Sequence, residues 1–239
     1  MTPEQAMLYD KKWHLLIKRA GVFGHIPFID FVFGSGSLAI GNVDEESDFD
    51  VLIGVREGRI FTVRFLSALF LSVLRWRRAK EHGGKSAANK ICLNHFVTKP
   101  AYRLRLPVNS YWKILYERLV PIYGNPEKMQ EFFEANSSWL GGIAVETSDL
   151  RYQGFSKSWV SSFFEVVLRG RTGDLFEKLL KRYQVGRIEK GMVSERKTAP
   201  HNIKVLGGNA TEKIELPPLI VYNDEELEFH PDKAMIEIE

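Results

Sequence analysis

The sequence is poor in cysteine and in long apolar runs, and each shortage excludes a class of protein. Cys92 is the single cysteine among 239 residues, which excludes an internal disulfide framework and a zinc cluster built on cysteines. This cysteine usage is typical of a reducing compartment, and we expect a cytoplasmic protein. In the apolar segment 60–76, the uncharged run between Arg64 and Arg75 is only ten residues long. Because that run is too short to span a bilayer, we expect a buried helix and no membrane partner, a membrane-surface helix being the alternative.

A large excess of one charge is also lacking. The chain has 33 lysines and arginines against 30 acidic residues, a formal net charge of +3 with an isoelectric point near 8.8. This mild excess fits an anionic ligand but does not require a nucleic acid. With 44% hydrophobic and 26% charged residues, the composition is that of a globular protein, and the length allows one large domain or two small ones.

Hydrophobic periodicity predicts an α/β (α+β) fold, in which a short mixed sheet is flanked by helices. A helix is predicted over 3–20 and a longer one over 58–80. Strands are predicted in "HIPFIDFVFG", "SDFDVLIGV" and "NKICLNHFVT".

Three segments follow from the change of pattern along the chain. Residues 1–105 are predicted as the sheet-containing domain, and residues 106–187 as a helical domain that includes a helix over 109–124. Residues 188–239 are rich in turn residues and short β-like pieces, which predicts an irregular C-terminal segment packed back on the body.

Two aspartates interrupt the apolar strand predicted at 47–55. Since side chains alternate along a strand, Asp48 and Asp50 face the same side, about 7 Å apart. Ionised carboxylates are costly to bury without a compensating partner. Such a pair supplies half of the ligands for a hard divalent cation, most naturally Mg²⁺, with Mn²⁺ as an alternative. The competing interpretation is an aspartate-rich turn before an ordinary strand.

Small residues precede this pair. Gly34 and Gly36 allow a tight turn, which would expose backbone N–H groups at the start of a short helix and so form a phosphate cradle. Ser37 lies eleven residues before Asp48. A phosphate cradle and a carboxylate pair at this spacing suit a magnesium-bound nucleoside triphosphate.

The stretch "GSLAIGNVDEESDFDVLI" resembles the signature of the nucleotidyltransferase superfamily of the DNA polymerase beta type. The shared pattern is Gly-Ser-x-Ala-x-Gly followed by Ser-Asp-x-Asp. It is matched by Gly36, Ser37, Ala39, Gly41, Ser47, Asp48 and Asp50. More weakly, "KICLNHFV", "EFFEANSSWL" and "EFHPD" resemble stretches of bacterial and archaeal proteins that carry this domain.

The resemblance implies a fold, a set of ligands and a reaction. It implies the short mixed sheet of the nucleotidyltransferases and places the β- and γ-phosphates of a nucleoside triphosphate on Gly36 and Ser37. Ser35 and Ser47 are further candidates for nucleotide binding. Asp48 and Asp50 would bind Mg²⁺ and act in catalysis, so that an acceptor hydroxyl attacks the α-phosphate in line and pyrophosphate leaves. RNA, protein and small molecules all remain open as acceptors.

One expected residue is missing. Active members of this family usually carry a third carboxylate on a neighbouring strand, but "KICLNHFV" contains no acid. By strict alternation Asn94 shares a face with Cys92 and Phe96, while His95 lies on the opposite face. We expect His95 to be a partly buried strand histidine, with a catalytic base as the alternative. Asn94 is therefore the candidate for the third catalytic position. Its amide oxygen can bind Mg²⁺ but carries no charge and cannot take a proton.

The absence of a third carboxylate leaves two possible functions. The first is a nucleotidyltransferase of weak activity. The alternative is a catalytically impaired sensor of nucleoside triphosphates or an antitoxin-like partner protein, which kept the nucleotide site and lost turnover.

Basic residues cluster after the apolar helix. The cluster comprises Arg75, Arg77, Arg78, Lys80, Lys85 and Lys90. It has two interpretations: a solvated helix end and loop, or a surface that guides a triphosphate or an RNA acceptor towards the metal.

Overall fold

The structure, a computed structural model, describes residues 2–78, 87–105, 110–198 and 219–230. The helices are α1 (Pro3–Ala20), α2 (Gly36–Ile40), α3 (Ile60–Val73), α4 (Ser110–Glu117), α5 (Pro126–Ala135), α6 (Ser137–Leu140), α7 (Trp159–Val167) and α8 (Arg171–Thr198). The strands are β1 (Ile29–Ser35), β2 (Phe49–Val55), β3 (Ile91–Thr98), β4 (Val120–Gly124), β5 (Leu219–Tyr222) and β6 (Glu226–His230).

The strands form one mixed sheet in the order β4-β1-β2-β3-β6-β5. β2 and β3 are parallel, and every other neighbouring pair is antiparallel. A parallel pair needs a crossover connection, and α3 lies in that connection. The predicted mixed α/β class, a sheet flanked by helices, is confirmed.

The sheet is covered on both faces, and this explains why β2 is apolar almost throughout. Val51 and Ile53 pack in a core that includes α1 and α3, whereas Leu52 packs on the opposite face with α4 and α5. A central strand that is buried on both faces has an almost continuous apolar sequence. Asp50 is therefore the exception in β2, and it lies next to the strand's first residue.

The predicted limits of the helices are correct in part. α1 matches the predicted range, because Thr2 caps it in a capping box with Gln5. α3 ends at Val73 instead of residue 80, since the backbone turns there. Shortly afterwards the backbone of Arg77 forms an isolated parallel β-bridge with that of Ile91. α8 continues past Gly186 to Thr198, into the segment predicted to be irregular.

The prediction of a helix over 109–124 is wrong in its last part. Val120–Gly124 is strand β4, which pairs with β1 at one edge of the sheet. An edge strand tolerates Pro121, which cannot donate a backbone hydrogen bond. Local periodicity does not reveal this strand, because its place is decided by pairing with β1.

Residues from all three predicted segments build the same sheet. β4 comes from the segment predicted to be helical, and β5 and β6 come from the C-terminal segment, which joins the sheet next to β3. On one face, Phe31 and Phe33 pack against Phe132 and Phe133 of α5. Within the described part of the chain, no helix is both long enough and apolar enough to cross a membrane.

Candidate active site

The predicted site residues meet where three strands begin or end. Asp48 directly precedes β2, and Asp50 is paired with Ser35, the last residue of β1. On its other side Asp50 is paired with Cys92, near the start of β3. β1 runs antiparallel to β2, and β3 runs parallel to it. The last residue of β1 and the first residues of β2 and β3 therefore lie side by side, at the same end of these three strands.

The two carboxylates lie close together, as the alternation of strand side chains predicted. One carboxylate oxygen of Asp48, one of Asp50 and the sulfur of Cys92 lie within 4.8 Å of one another, and all three residues are partly buried. Burial and then the neighbouring charge of Asp48 raise the pKa of Asp50 to about 6. Two acidic groups in this arrangement repel each other, and a bound cation would relieve that repulsion.

Gly36 is the residue that brings helix α2 against Asp50. Its φ of +69° is a conformation that favours glycine. A Cβ at this position would overlap Asp50 Oδ2 and lie 2.8 Å from Asp50 Cβ. The absence of a side chain at Gly36 therefore lets the first turn of α2 approach the carboxylate.

Gly34, the other glycine of the predicted cradle, lies in the core instead. A Cβ on Gly34 would lie 2.9 Å from the ring of Trp13 and 3.0 Å from Ile122 Cδ1. Gly34 thus allows α1 and β4 to pack closely on β1, and the contact with Asp50 belongs to Gly36.

Asn94, the candidate for the third catalytic position, lies beside Asp50. Its Nδ2 donates a hydrogen bond to Asp50 Oδ1 at 2.9 Å. The side chain is almost fully buried, so its amide group is held in this contact. Its role in catalysis stays a prediction.

The prediction that side chains alternate strictly along β3 is wrong beyond Asn94. Asp50 pairs with Cys92 but Leu52 pairs with His95, so β3 contains one extra residue at this point. As a result Phe96 packs in the core on the α3 side together with Leu93, and it does not share a face with Asn94.

The serines occupy three different environments. Ser35 is the N-cap of α2, but its hydroxyl makes no capping hydrogen bond. Ser37 lies in the first turn of that helix and is partly buried. The Ser47 hydroxyl closes a turn, since it donates to Asp44 Oδ1 at 2.8 Å and accepts from Asp44 N at 2.9 Å. Nucleotide binding by these serines stays a prediction.

Two basic residues at the site have roles that the sequence did not indicate. Arg78 Nη1 donates to Asp48 Oδ2 at 2.6 Å, so at least one member of the basic cluster is not simply solvated. Lys12 of α1 is fully buried, and its Nζ donates to the carbonyl of Ser47 at 2.8 Å and to Asn89 Oδ1 at 3.2 Å. Lys12 thereby makes hydrogen bonds to both of the loops that precede β2 and β3.

A second group with metal-binding side chains lies further along β3. Atoms of His95, Glu226 and Glu228 lie within 4.8 Å of one another, and His95 Nε2 is 3.2 Å from Glu226 Oε1. His95 is buried, where the sequence predicted a partly buried strand histidine, and its neighbour Glu226 belongs to β6.

The group formed by Asp48, Asp50 and Cys92 has donor atoms that fit a hard cation. Mg²⁺ prefers oxygen ligands, and Asp48 and Asp50 supply carboxylate oxygens. Burial and then the charges of Asp50 and Asp48 raise the pKa of the Cys92 thiol. Since carboxylate oxygens suit Mg²⁺ and Mn²⁺ and thiolate suits softer metals, the two aspartates are the candidate metal ligands and Cys92 is a neighbour.

Comparison with protein-family models, with curated proteins and with solved structures finds no match to this chain. The resemblance to nucleotidyltransferases therefore depends on the residues between Gly36 and Asp50 and on the geometry in which they meet.

Proposed function

We propose that this protein is a nucleotidyltransferase that depends on Mg²⁺ or a similar divalent cation. It would move a nucleoside monophosphate from a nucleoside triphosphate to an acceptor hydroxyl and release pyrophosphate. One observation supports this proposal best: Gly36 lets the Gly-Ser turn pack directly against Asp50, whose carboxylate lies beside that of Asp48. A phosphate-binding turn and a pair of metal ligands must adjoin for one triphosphate to contact both.

Each residue of the site has a defined role in this proposal. Asp48 and Asp50 would hold the cation, which supplies positive charge to the phosphate oxygens when it is bound. The first N–H groups of a helix have no partner within the helix, so those of Gly36 and Ser37 can donate to phosphate oxygens. Arg78 lies at the same carboxylate pair and can balance negative charge there.

The test is the binding of nucleotide with and without metal. Asp48→Asn and Asp50→Asn should each abolish Mg²⁺- or Mn²⁺-dependent binding of a nucleoside triphosphate, measured by calorimetry. Without metal, Asp50→Asn should be at least as stable as the wild type, because burial and then Asp48 disfavour the charged form of Asp50. Asp48→Asn relieves the same repulsion but loses the ion pair with Arg78, so its stability should change little. Asp10→Asn, on the exposed side of α1, makes the same chemical change and should leave binding unaltered.

Transfer itself is tested with labelled nucleoside triphosphates, Mg²⁺ or Mn²⁺ and a cell extract. Label on RNA, on protein or on a small molecule would identify the acceptor class. Metal-dependent nucleotide binding that persists in both aspartate variants would contradict the proposal.

A second candidate function is a nucleotide sensor or antitoxin-like partner without turnover. It is favoured by Asn94, which occupies the place beside Asp50 with an uncharged amide. An amide cannot accept the proton of an attacking hydroxyl. A protein that only binds nucleotide needs no such group.

Asn94→Asp separates the two functions. In an enzyme, the new carboxylate should strengthen metal binding and raise transfer activity, most clearly at low Mg²⁺. In a sensor, metal binding should strengthen while transfer stays absent. Asn94→Ala removes the hydrogen bond to Asp50 without adding charge, so it shows whether loss of that contact alone has an effect. If Asn94→Asp binds Mg²⁺ no better than the wild type, Asn94 is not at a metal-binding position.

A further inference from the structure

Helix α7 turns its apolar side chains outward, the reverse of an ordinary surface helix. Of the nine residues in Trp159–Val167, only Ser161 is buried. Trp159 and Val166 lie two turns apart on one face of the helix and are 81% and 67% exposed. The other exposed apolar side chains of this helix are those of Phe163, Phe164 and Val167.

Polar contacts on the inward side of α7 hold the helix in this orientation. Glu165 Oε1 accepts a hydrogen bond from the backbone N–H of Phe28 at 3.0 Å, and Glu165 Oε2 accepts one from Arg56 Nη1 at 3.3 Å. Lys157 Nζ also donates to Glu165. Rotation of α7 to bury its apolar residues would break all three contacts, so the outward apolar face belongs to the fold itself.

The exposed face is large for one short helix. A single exposed apolar side chain is normal and needs no explanation. Trp159, Phe163 and Phe164 together leave about 400 Å² of ring surface exposed, since such a side chain presents about 150–250 Å² in full. An apolar patch of this size marks a surface that another molecule covers.

Positive charge lies at the C-terminal end of this face. Arg169 N donates to the carbonyl of Val166 at 3.3 Å, and Thr172 Oγ1 donates to the carbonyl of Val167 at 2.8 Å. The chain therefore stays beside the end of α7 through Arg169 and Arg171, both of which are exposed. Within the described ranges of the chain, neither arginine forms an ion pair.

The charge pattern selects among the molecules that could cover this face. Between residues 159 and 171 the only acid is Glu165, and it is held on the inward side. In a symmetric pair of copies the same patch meets itself, so Arg169 and Arg171 would find no acid of this segment opposite them. An anionic surface that also accepts apolar side chains matches both properties.

We propose that α7 binds the surface of a lipid bilayer that carries anionic headgroups. Trp159 and Phe163 would enter the boundary between headgroups and acyl chains, where aromatic side chains are favoured. Arg169 and Arg171 would lie among the anionic headgroups. The contact is with one surface of the bilayer and needs no spanning helix. It is independent of the proposed nucleotide chemistry, and the expected absence of a membrane partner came from a different segment, 60–76.

The experiment measures sedimentation of the full chain with lipid vesicles. One set of vesicles contains equal parts of phosphatidylcholine and phosphatidylglycerol, and the other contains phosphatidylcholine alone. The wild type should bind the anionic vesicles more strongly, and added salt should weaken that binding. Trp159→Ala and Phe163→Ala should each lower the partition coefficient about tenfold. Arg169→Gln and Arg171→Gln should each lower it about fivefold, which corresponds to about 1 kcal/mol per basic residue.

Two control variants change the same kinds of residue elsewhere. Met7→Ala removes an apolar side chain of α1 that is 65% exposed. Arg118→Gln removes an exposed arginine next to α4 that forms no ion pair within the described chain. Each should change vesicle binding less than twofold, as expected for an isolated surface position. Trp159→Ala and Phe163→Ala should melt at the wild-type temperature, because their side chains pack little in the fold.

The proposal is overturned if the wild type binds neither kind of vesicle, or if Trp159→Ala and Phe163→Ala bind like Met7→Ala. Equal binding to both kinds of vesicle would also overturn it, since the anionic headgroups would then have no role. Sedimentation equilibrium without lipid tests a second copy as the occupant. A dimer that Phe163→Ala dissociates, together with no binding to vesicles, would assign the face to a second copy and overturn the membrane proposal.

Discussion

At the scale of single residues, the candidate site depends on a glycine and a carboxylate in contact. Both Gly34 and Gly36 could provide a tight turn, and the resemblance to nucleotidyltransferases selected Gly36. The structure separates them: Gly34 is enclosed by Trp13 and Ile122, and Gly36 faces Asp50. Neither environment can be read from neighbouring residues, because Asp50 is contributed by another strand.

Gly36→Ala tests this contact. The new Cβ would have to displace the carboxylate of Asp50, so metal-dependent nucleotide binding should fall by about tenfold or more, equivalent to about 1.4 kcal/mol. The positive φ at this position adds strain of about 1–2 kcal/mol to the folded state. Calorimetry measures the first effect and chemical denaturation the second.

Gly58→Ala is the control for this substitution. Gly58 has a φ of +71°, close to that of Gly36, but a Cβ there would meet nothing within 4 Å. It should therefore lose similar stability through strain and keep full nucleotide binding. Equal loss of binding in both variants would show that the contact between Gly36 and Asp50 has no functional role.

At the scale of elements, the position of Asp48 depends on helix α1. Lys12 reaches from α1 to the carbonyls of Ser47 and Glu45 and to the side chain of Asn89. Burial lowers its pKa, while nearby carboxylates, Asp44 first among them, oppose the shift. A buried charge that is satisfied by several acceptors is suited to hold loops in a single arrangement.

Lys12→Met should loosen the two loops. The acceptors lose a charged donor, so the free energy of unfolding should fall by about 2 kcal/mol. Metal-dependent nucleotide binding should weaken as well, because Ser47 directly precedes Asp48. Lys11→Met, at the neighbouring exposed position, should change stability by less than about 0.5 kcal/mol and leave binding intact. If Lys12→Met loses stability but binds nucleotide normally, Lys12 is structural only.

At the scale of the whole molecule, the sheet joins all the segments that the sequence separates. A boundary at residue 105 would divide β1 from β4 and would separate Phe31 and Phe33 from Phe132. These three rings are fully buried in one cluster. The chain should therefore unfold as one unit in spite of the predicted division.

Phe132→Ala tests whether the molecule is one cooperative unit. Loss of a buried ring should lower the free energy of unfolding by about 3–5 kcal/mol. If the chain is one unit, hydrogen exchange should accelerate in β2 as much as in α5. Phe163→Ala, at a side chain that is 57% exposed, should have little effect on either. Faster exchange confined to residues 106–187 would instead confirm a separate domain.

The sequence alone determined the features that depend on local periodicity. It predicted the limits of α1, the course of β1 to β3, and the placement of Asp48 and Asp50 on one side. Each of these follows from caps, from alternation or from apolar runs, which neighbouring residues encode. The expectation that Asn94 lies next to Asp50 came instead from the resemblance to nucleotidyltransferases, which implies a third acid on a neighbouring strand.

Tertiary structure decided the features that join distant parts of the chain. Helix α3 has no local cap at Arg59; its first N–H groups donate instead to Glu177 of α8, from Phe61 at 2.8 Å and from Thr62 at 2.9 Å. The strand at Val120–Gly124 and the extra residue in β3 likewise depend on long-range partners. Long-range partners are chosen by which surfaces pack together, and a local sequence pattern states only which surface is apolar, not what covers it.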